Sequence, residues 1–193
     1  MTFMTAWRRR HELTLVRDSA RPWLYAVAGF LARTARRGGG AGGGPARHRG
    51  RQPSHARKRR RRVIVVDASA MSTMLVYTDD RGRKARAVLA RDIEWVAPEH
   101  WKAEVFSVVR VLTLGRKITE AWASGVVSLL PRVGVKTVSL DDLLPRMWEL
   151  RGNVSGYDAA YVALAEARGV TLVTADGKLA RAAMSFCRVE LVG

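Results

Sequence analysis

The chain has 193 residues, 48% of them hydrophobic, which suits one ordinary domain with a real core. Its formal charge of +17 is uneven: residues 1–62 hold 17 Lys and Arg against Glu12 and Asp18, whereas residues 63–193 come to only +2. Cys187 is the only cysteine, which excludes an internal disulfide and a cysteine-rich zinc site.

Taken in chain order, residues 1–62 come first as a basic extension. Its apolar run WLYAVAGFLA (23–32) is well short of the about 20 residues that cross a bilayer. The arginines before that run resemble the start of an export signal, but the glycine and arginine after it make a poor cleavage zone, so a cytoplasmic protein with no membrane contact is expected. The stretch 35–62, ARRGGGAGGGPARHRGRQPSHARKRRRR, offers almost nothing to bury and is expected to be disordered. A polycation of this kind would bind RNA, DNA or acidic lipid without reading sequence. The preferred expectation is that translation begins near Val63, since a valine codon can serve as a bacterial start.

From Val63 onward, strands alternate with helices. VIVV (63–66) is a run of β-formers of the kind found in buried strands, and it stops at Asp67, where a helix through about Tyr77 follows. A helix over Arg83–Arg91, a strand over Glu94–Ala97 and a helix over 99–114 come next, with Pro98 tolerated at the last helix's start. Thr119 should cap a helix to about Leu130, and Val135–Val138 is the third strand. Asp141 is expected to cap a helix that carries Pro145 and ends near Gly152. Ser155 opens the next helix with Asp158 three residues on, and Gly169 closes it. A strand over 170–174, a helix from Asp176 to about Ser185 and an edge strand over 188–192 complete the pattern. The expected fold class is α/β, a three-layer α/β/α domain over 63–193 with a mostly parallel sheet.

Four acidic residues, Asp67, Glu104, Asp158 and Asp176, fall where strands end or helices begin. In an α/β pattern such positions converge on one rim of the sheet, where repulsion between carboxylates is relieved by protonation or by a cation. Each has an ordinary explanation as well. Asp67 and Asp176 could be N-caps, Glu104 could pair with a lysine or arginine, and Asp158 could answer the helix macrodipole. Hard oxygen ligands in this number suit Mg²⁺ or Mn²⁺.

VIVVDASA (63–70), APEHWKAEVFSVVR (97–110), RGNVSGYDAAYVALAE (151–166) and LVTADGKLA (172–180) together resemble a PIN-domain nuclease, specifically the VapC toxin of type II toxin–antitoxin pairs. The resemblance covers essentially all of 63–193; residues 1–62 have no place in it, and Gly156 stands where a small side chain is more usual. It implies that Asp67, Glu104, Asp158 and Asp176 are the metal-binding acidic quartet, with Ser69, Ser155 and Thr174 as hydroxyls that orient them. It also implies Mg²⁺ (or Mn²⁺) as cofactor, RNA hydrolysed by metal-activated water, a cognate VapB-like antitoxin as partner, and a homodimer. Lys102, Arg110, Arg151 and Lys178 are candidates to meet phosphates, and His100 is a weak candidate base. Trp101, Trp122 and Trp148 are expected in the core or an interface rather than stacked on bases. The competing expectations are a module that holds RNA without cutting it, and a phosphatase-like α/β domain. A haloacid-dehalogenase phosphatase would need DxD after its first strand, yet Asp67 is followed by Ala68 and Ser69.

Overall fold

Four consecutive β-formers, Val63 to Val66, make the central strand of a five-stranded sheet. In the computed structural model, which describes residues 63–91 and 94–193, the strands are β1 (Val63–Val66), β2 (Glu94–Pro98), β3 (Val135–Val138), β4 (Thr171–Thr174) and β5 (Val189–Leu191). Their order is β3-β2-β1-β4-β5, and every pairing is parallel. The expected α/β class and strand set are therefore observed. Position in the sheet accounts for composition: β1 and β4 are buried through most of their length, whereas β3, at one edge, exposes Lys136 and Thr137.

The helices are α1 (Ala68–Val76), α2 (Asp80–Leu89), α3 (Trp101–Leu114), α4 (Glu120–Leu129), α5 (Leu144–Glu149), α6 (Gly156–Arg168) and α7 (Gly177–Ala183). Short 3₁₀ turns extend α4 and α5. Thr119 and Ser155 cap α4 and α6 as their sequence positions suggest, and Gly169 ends α6 with φ 61°, a left-handed conformation that favours glycine.

Three helix starts differ from expectation. Pro98 ends β2 instead of opening a helix, and α3 begins at Trp101 with His100 at its N-cap position. The second helix begins at Asp80 rather than Arg83, because Asp79 caps it by accepting from the N–H groups of Arg81 and Gly82. Asp141 caps nothing: α5 starts at Leu144 after a tight turn, and Pro145, which has no N–H to donate, sits in its first turn.

The core is one cluster that joins β1, β2 and β4 to α1, α3 and α6 through residues such as Val65, Met74, Trp95, Trp101, Val105, Val162 and Leu172. Helix α6 is apolar along nearly its whole length because it lies against β1, β2 and β4. Trp101 and half-buried Trp122 belong to this core, as expected, but Trp148 is 69% exposed, with the Arg151 guanidinium 4.7 Å from its ring. Among the described residues no helix is long and apolar enough to cross a membrane. The expectations for residues 1–62 lie outside the described residues.

Candidate active site

The chain runs from β1 through β2 to β3 on one side, then returns to place β4 on the other side of β1. That reversal puts the carboxyl ends of β1 and β4 side by side, with Val66 in register with Val173. A crevice at such a switch point is the usual binding place of an open parallel sheet. Asp67 follows β1, and Thr174 ends β4 two residues before Asp176.

Asp67 occupies the N-cap position of α1 but makes no capping hydrogen bond with its side chain. Its Oδ2 accepts from both Ser69 Oγ and Thr174 Oγ1, the latter at 2.7 Å. Each hydroxyl is itself held by a backbone donor: Ala175 N–H donates to Ser69 Oγ at 2.9 Å, and Asp176 N–H to Thr174 Oγ1 at 3.0 Å. One lone pair of each hydroxyl is thus engaged, and both hydroxyls donate to one carboxylate oxygen. Asp67 Oδ1 forms no hydrogen bond among the described residues. Burial, opposed by those two hydroxyls and reinforced by the charges of Glu104 and Asp158, pushes the Asp67 carboxyl up from 3.8 to about 7.

Glu104 reaches the same neighbourhood from α3. Tyr161, fully buried on α6, donates its phenolic O–H to Glu104 Oε2 at 2.7 Å. His100 Nε2 lies 3.3 Å from the same oxygen, an electrostatic approach rather than an aligned hydrogen bond. Burial first, then the nearby charges of Asp67 and Glu104, raise the Tyr161 phenol, which therefore remains a donor at neutral pH. Asp158, buried on the first turn of α6, accepts from Ser155 Oγ at 2.7 Å while its own N–H donates back to that oxygen at 3.3 Å. The pair is a reciprocal cap, so Ser155 both starts the helix and holds the carboxylate.

Asp176 behaves differently. Its Oδ1 accepts from the N–H groups of Lys178 and Leu179, so it is the N-cap of α7. Thr174 still links it to Asp67 through the backbone. The structure thus brings Asp67, Glu104 and Asp158 into one electrostatic neighbourhood and leaves Asp176 beside it, turned toward its own helix.

The donor chemistry fits a hard divalent cation: oxygen ligands only, one of them a buried carboxylate steadied on a single oxygen with no cationic partner among the described residues. The fit is not a finished cage. As the side chains stand, no group of three or more His, Cys, Asp or Glu among the described residues is close enough to hold a metal ion. Glu104, Asp158 and Asp176 are each drawn to a donor of their own.

Tyr161 has no counterpart among the expected site residues. The only signal for it is a polar atom in the otherwise apolar face of α6, three residues after Asp158. The four candidate phosphate-binding cations, Lys102, Arg110, Arg151 and Lys178, are all exposed, and Lys102 lies 5.6 Å over the Trp101 ring.

A sheet with its switch point between β1 and β4, and acidic side chains gathered at that end, is the arrangement of a PIN domain. Residues 64–184 match the PIN domain family, and the chain belongs to it. It is similar to ribonuclease VapC3 of Mycobacterium tuberculosis, 40% identical over 117 residues that make up 61% of this chain and 85% of that protein. Ribonuclease VapC12 of the same organism is 32% identical over 127 residues, 66% of this chain and 97% of that one. Among solved structures, M. tuberculosis VapC20 aligns with a TM-score of 0.49 and 20% identity over 62% of this chain and 94% of its own.

Proposed function

We propose that the protein is a metal-dependent endoribonuclease that hydrolyses RNA phosphodiester bonds as the toxin of a VapBC-type toxin–antitoxin pair. The observation that carries this reading is Asp67, a buried carboxylate that caps no helix, is gripped on one oxygen by Ser69 and Thr174, and stands in the field of Glu104 and Asp158. Membership of the PIN family and similarity to proteins named as VapC ribonucleases support the same reaction class.

Asp67 presents Oδ1, Glu104 presents Oε1 because Tyr161 occupies its other oxygen, and Asp158 is steadied by Ser155. Asp176, whose Oδ1 is engaged by the α7 cap, would join them through Oδ2. Mg²⁺ or Mn²⁺, when bound, supplies a water of lowered pKa and offsets the charge that grows at the phosphate. A VapB-like antitoxin would cover this acidic rim, an arginine of its own pairing with the carboxylates. A homodimer in the cytoplasm is the accompanying proposal.

One observation favours a second reading, a module that holds RNA without cutting it: each carboxylate already has a protein partner, and no ready cage is formed. The two readings separate on one assay. Purified full-length protein is incubated with total bacterial RNA in Mg²⁺, in Mn²⁺ and in EDTA, and new 5′ ends are mapped. Discrete metal-dependent cuts that vanish in Asp67→Asn support the nuclease. Binding without new ends supports the module, and phosphate-monoester hydrolysis without RNA cleavage supports a phosphatase.

A further inference from the structure

We infer that Tyr157, backed by His100, is the platform on which one base of the RNA substrate stacks beside the scissile phosphate. The inference rests on the ribonuclease reading and adds to it a residue that chooses and holds the substrate.

Tyr157 is on the first turn of α6, next to buried Asp158, yet its own side is 55% exposed. One side of its ring leans on His100, the two centroids 5.3 Å apart and tilted by 52°. His100 in turn meets the edge of Tyr161 at 5.3 Å, and Tyr161 holds Glu104. Three rings in successive contact therefore connect the surface to a site carboxylate. Gly156, just before Tyr157, is exposed too and adds no side chain beside it.

The other two exposed aromatic side chains among the described residues lack this connection. Phe106 is two residues beyond Glu104, hence on a different face of α3, and the ring of Trp148 already carries Arg151.

Electrostatics explains why an uncharged contact is wanted here. A cluster of carboxylates repels the phosphates that it must receive, so part of the substrate's hold has to come from groups indifferent to that charge. Aromatic rings supply it: unstacked bases of single-stranded RNA settle on tyrosine faces with little regard to backbone charge. The backing of Tyr157 by a nearly buried histidine fixes the ring in advance, which lowers the entropy lost on stacking.

The test is a coupling measurement on the full chain. Once a cut in total bacterial RNA is mapped, a synthetic oligonucleotide spanning it is made with each base in turn replaced by an abasic residue. Steady-state cleavage is measured for wild type, Tyr157→Ala and Tyr157→Trp. The expected result is that one abasic position flanking the cut raises the wild-type KM about 10-fold and that Tyr157→Ala raises it by a similar factor on the intact oligonucleotide. Combining the two should give no further loss, kcat should stay within about 3-fold, and Tyr157→Trp should behave as wild type. A Tyr157→Ala protein with wild-type KM, or penalties that multiply at every position, overturns the proposal while the nuclease reading stands. Wild-type protein that cuts no RNA overturns both.

Discussion

Asp67 and Asp176 look alike in the sequence, each an aspartate between a strand and a helix, and the structure separates them. Asp176 spends its carboxylate on the N–H groups of α7, while Asp67 leaves α1 uncapped and turns to two hydroxyls. The choice depends on Ser69 and Thr174, the second of which arrives from β4, far along the chain. No local pattern could show it. A pH dependence follows from Asp67: because its folded-state pKa is raised from 3.8 to about 7, the folded protein binds the proton more tightly than the unfolded chain. In EDTA, stability should be highest near pH 4 and fall as pH rises to about 7, by at most about 4 kcal/mol, then level off. Thermal melts of wild type and Asp67→Asn across this range check it; the variant should show a flatter profile. Tyr161→Phe keeps the ring that fills the core but removes the donor to Glu104. Loss of such a supporting hydrogen bond should weaken Mn²⁺ binding and RNA cleavage by about 10- to 100-fold, with circular dichroism unchanged. Tyr161→Phe protein with wild-type metal affinity would show that Glu104 needs no such support.

At the scale of elements, the strands and most helix ends were legible because their signals are local: VIVV for the central strand, Thr119 and Ser155 for caps, Gly169 for a left-handed end. The start of α2 was less so, since Asp79 and Asp80 compete as caps and the α1–α2 junction is set by tertiary contact. There the Arg86 guanidinium donates to the carbonyls of Met74 and Tyr77 at 2.8 and 2.9 Å, closing the C-terminal end of α1. Gly82 makes the close approach possible, for a Cβ at that position would stand 1.8 Å from the Tyr77 carbonyl oxygen. Gly82→Ala should therefore force α2 away from α1 and cost about 1–3 kcal/mol, read as a lowered melting temperature. An unchanged melt would mean that the junction yields freely. Similarly, Trp148 was expected in the core or an interface from its helical spacing, and the core is not its place: α5 is only six residues long and buries Leu150, just beyond it, instead.

For the whole molecule, topology does what no single residue can. The order β3-β2-β1-β4-β5 brings Asp67 and Asp176, distant in sequence, to the carboxyl ends of neighbouring strands, and α3 and α6 deliver Glu104 and Asp158 to the same rim. That convergence was legible as an α/β pattern with acids at strand ends. Of the partners, Ser69, Ser155 and Thr174 were expected beside the carboxylates through the family resemblance, whereas Tyr161, which holds Glu104 from an otherwise apolar helix face, was not. Whether these side chains together bind a divalent ion is decided by calorimetric titration of the full-length protein with Mn²⁺. Wild type should bind Mn²⁺ saturably, and Asp67→Asn at least about 10-fold more weakly, with the variant's melt showing an intact fold. Identical isotherms for the two proteins, or no Mn²⁺ uptake by wild type, would contradict such binding.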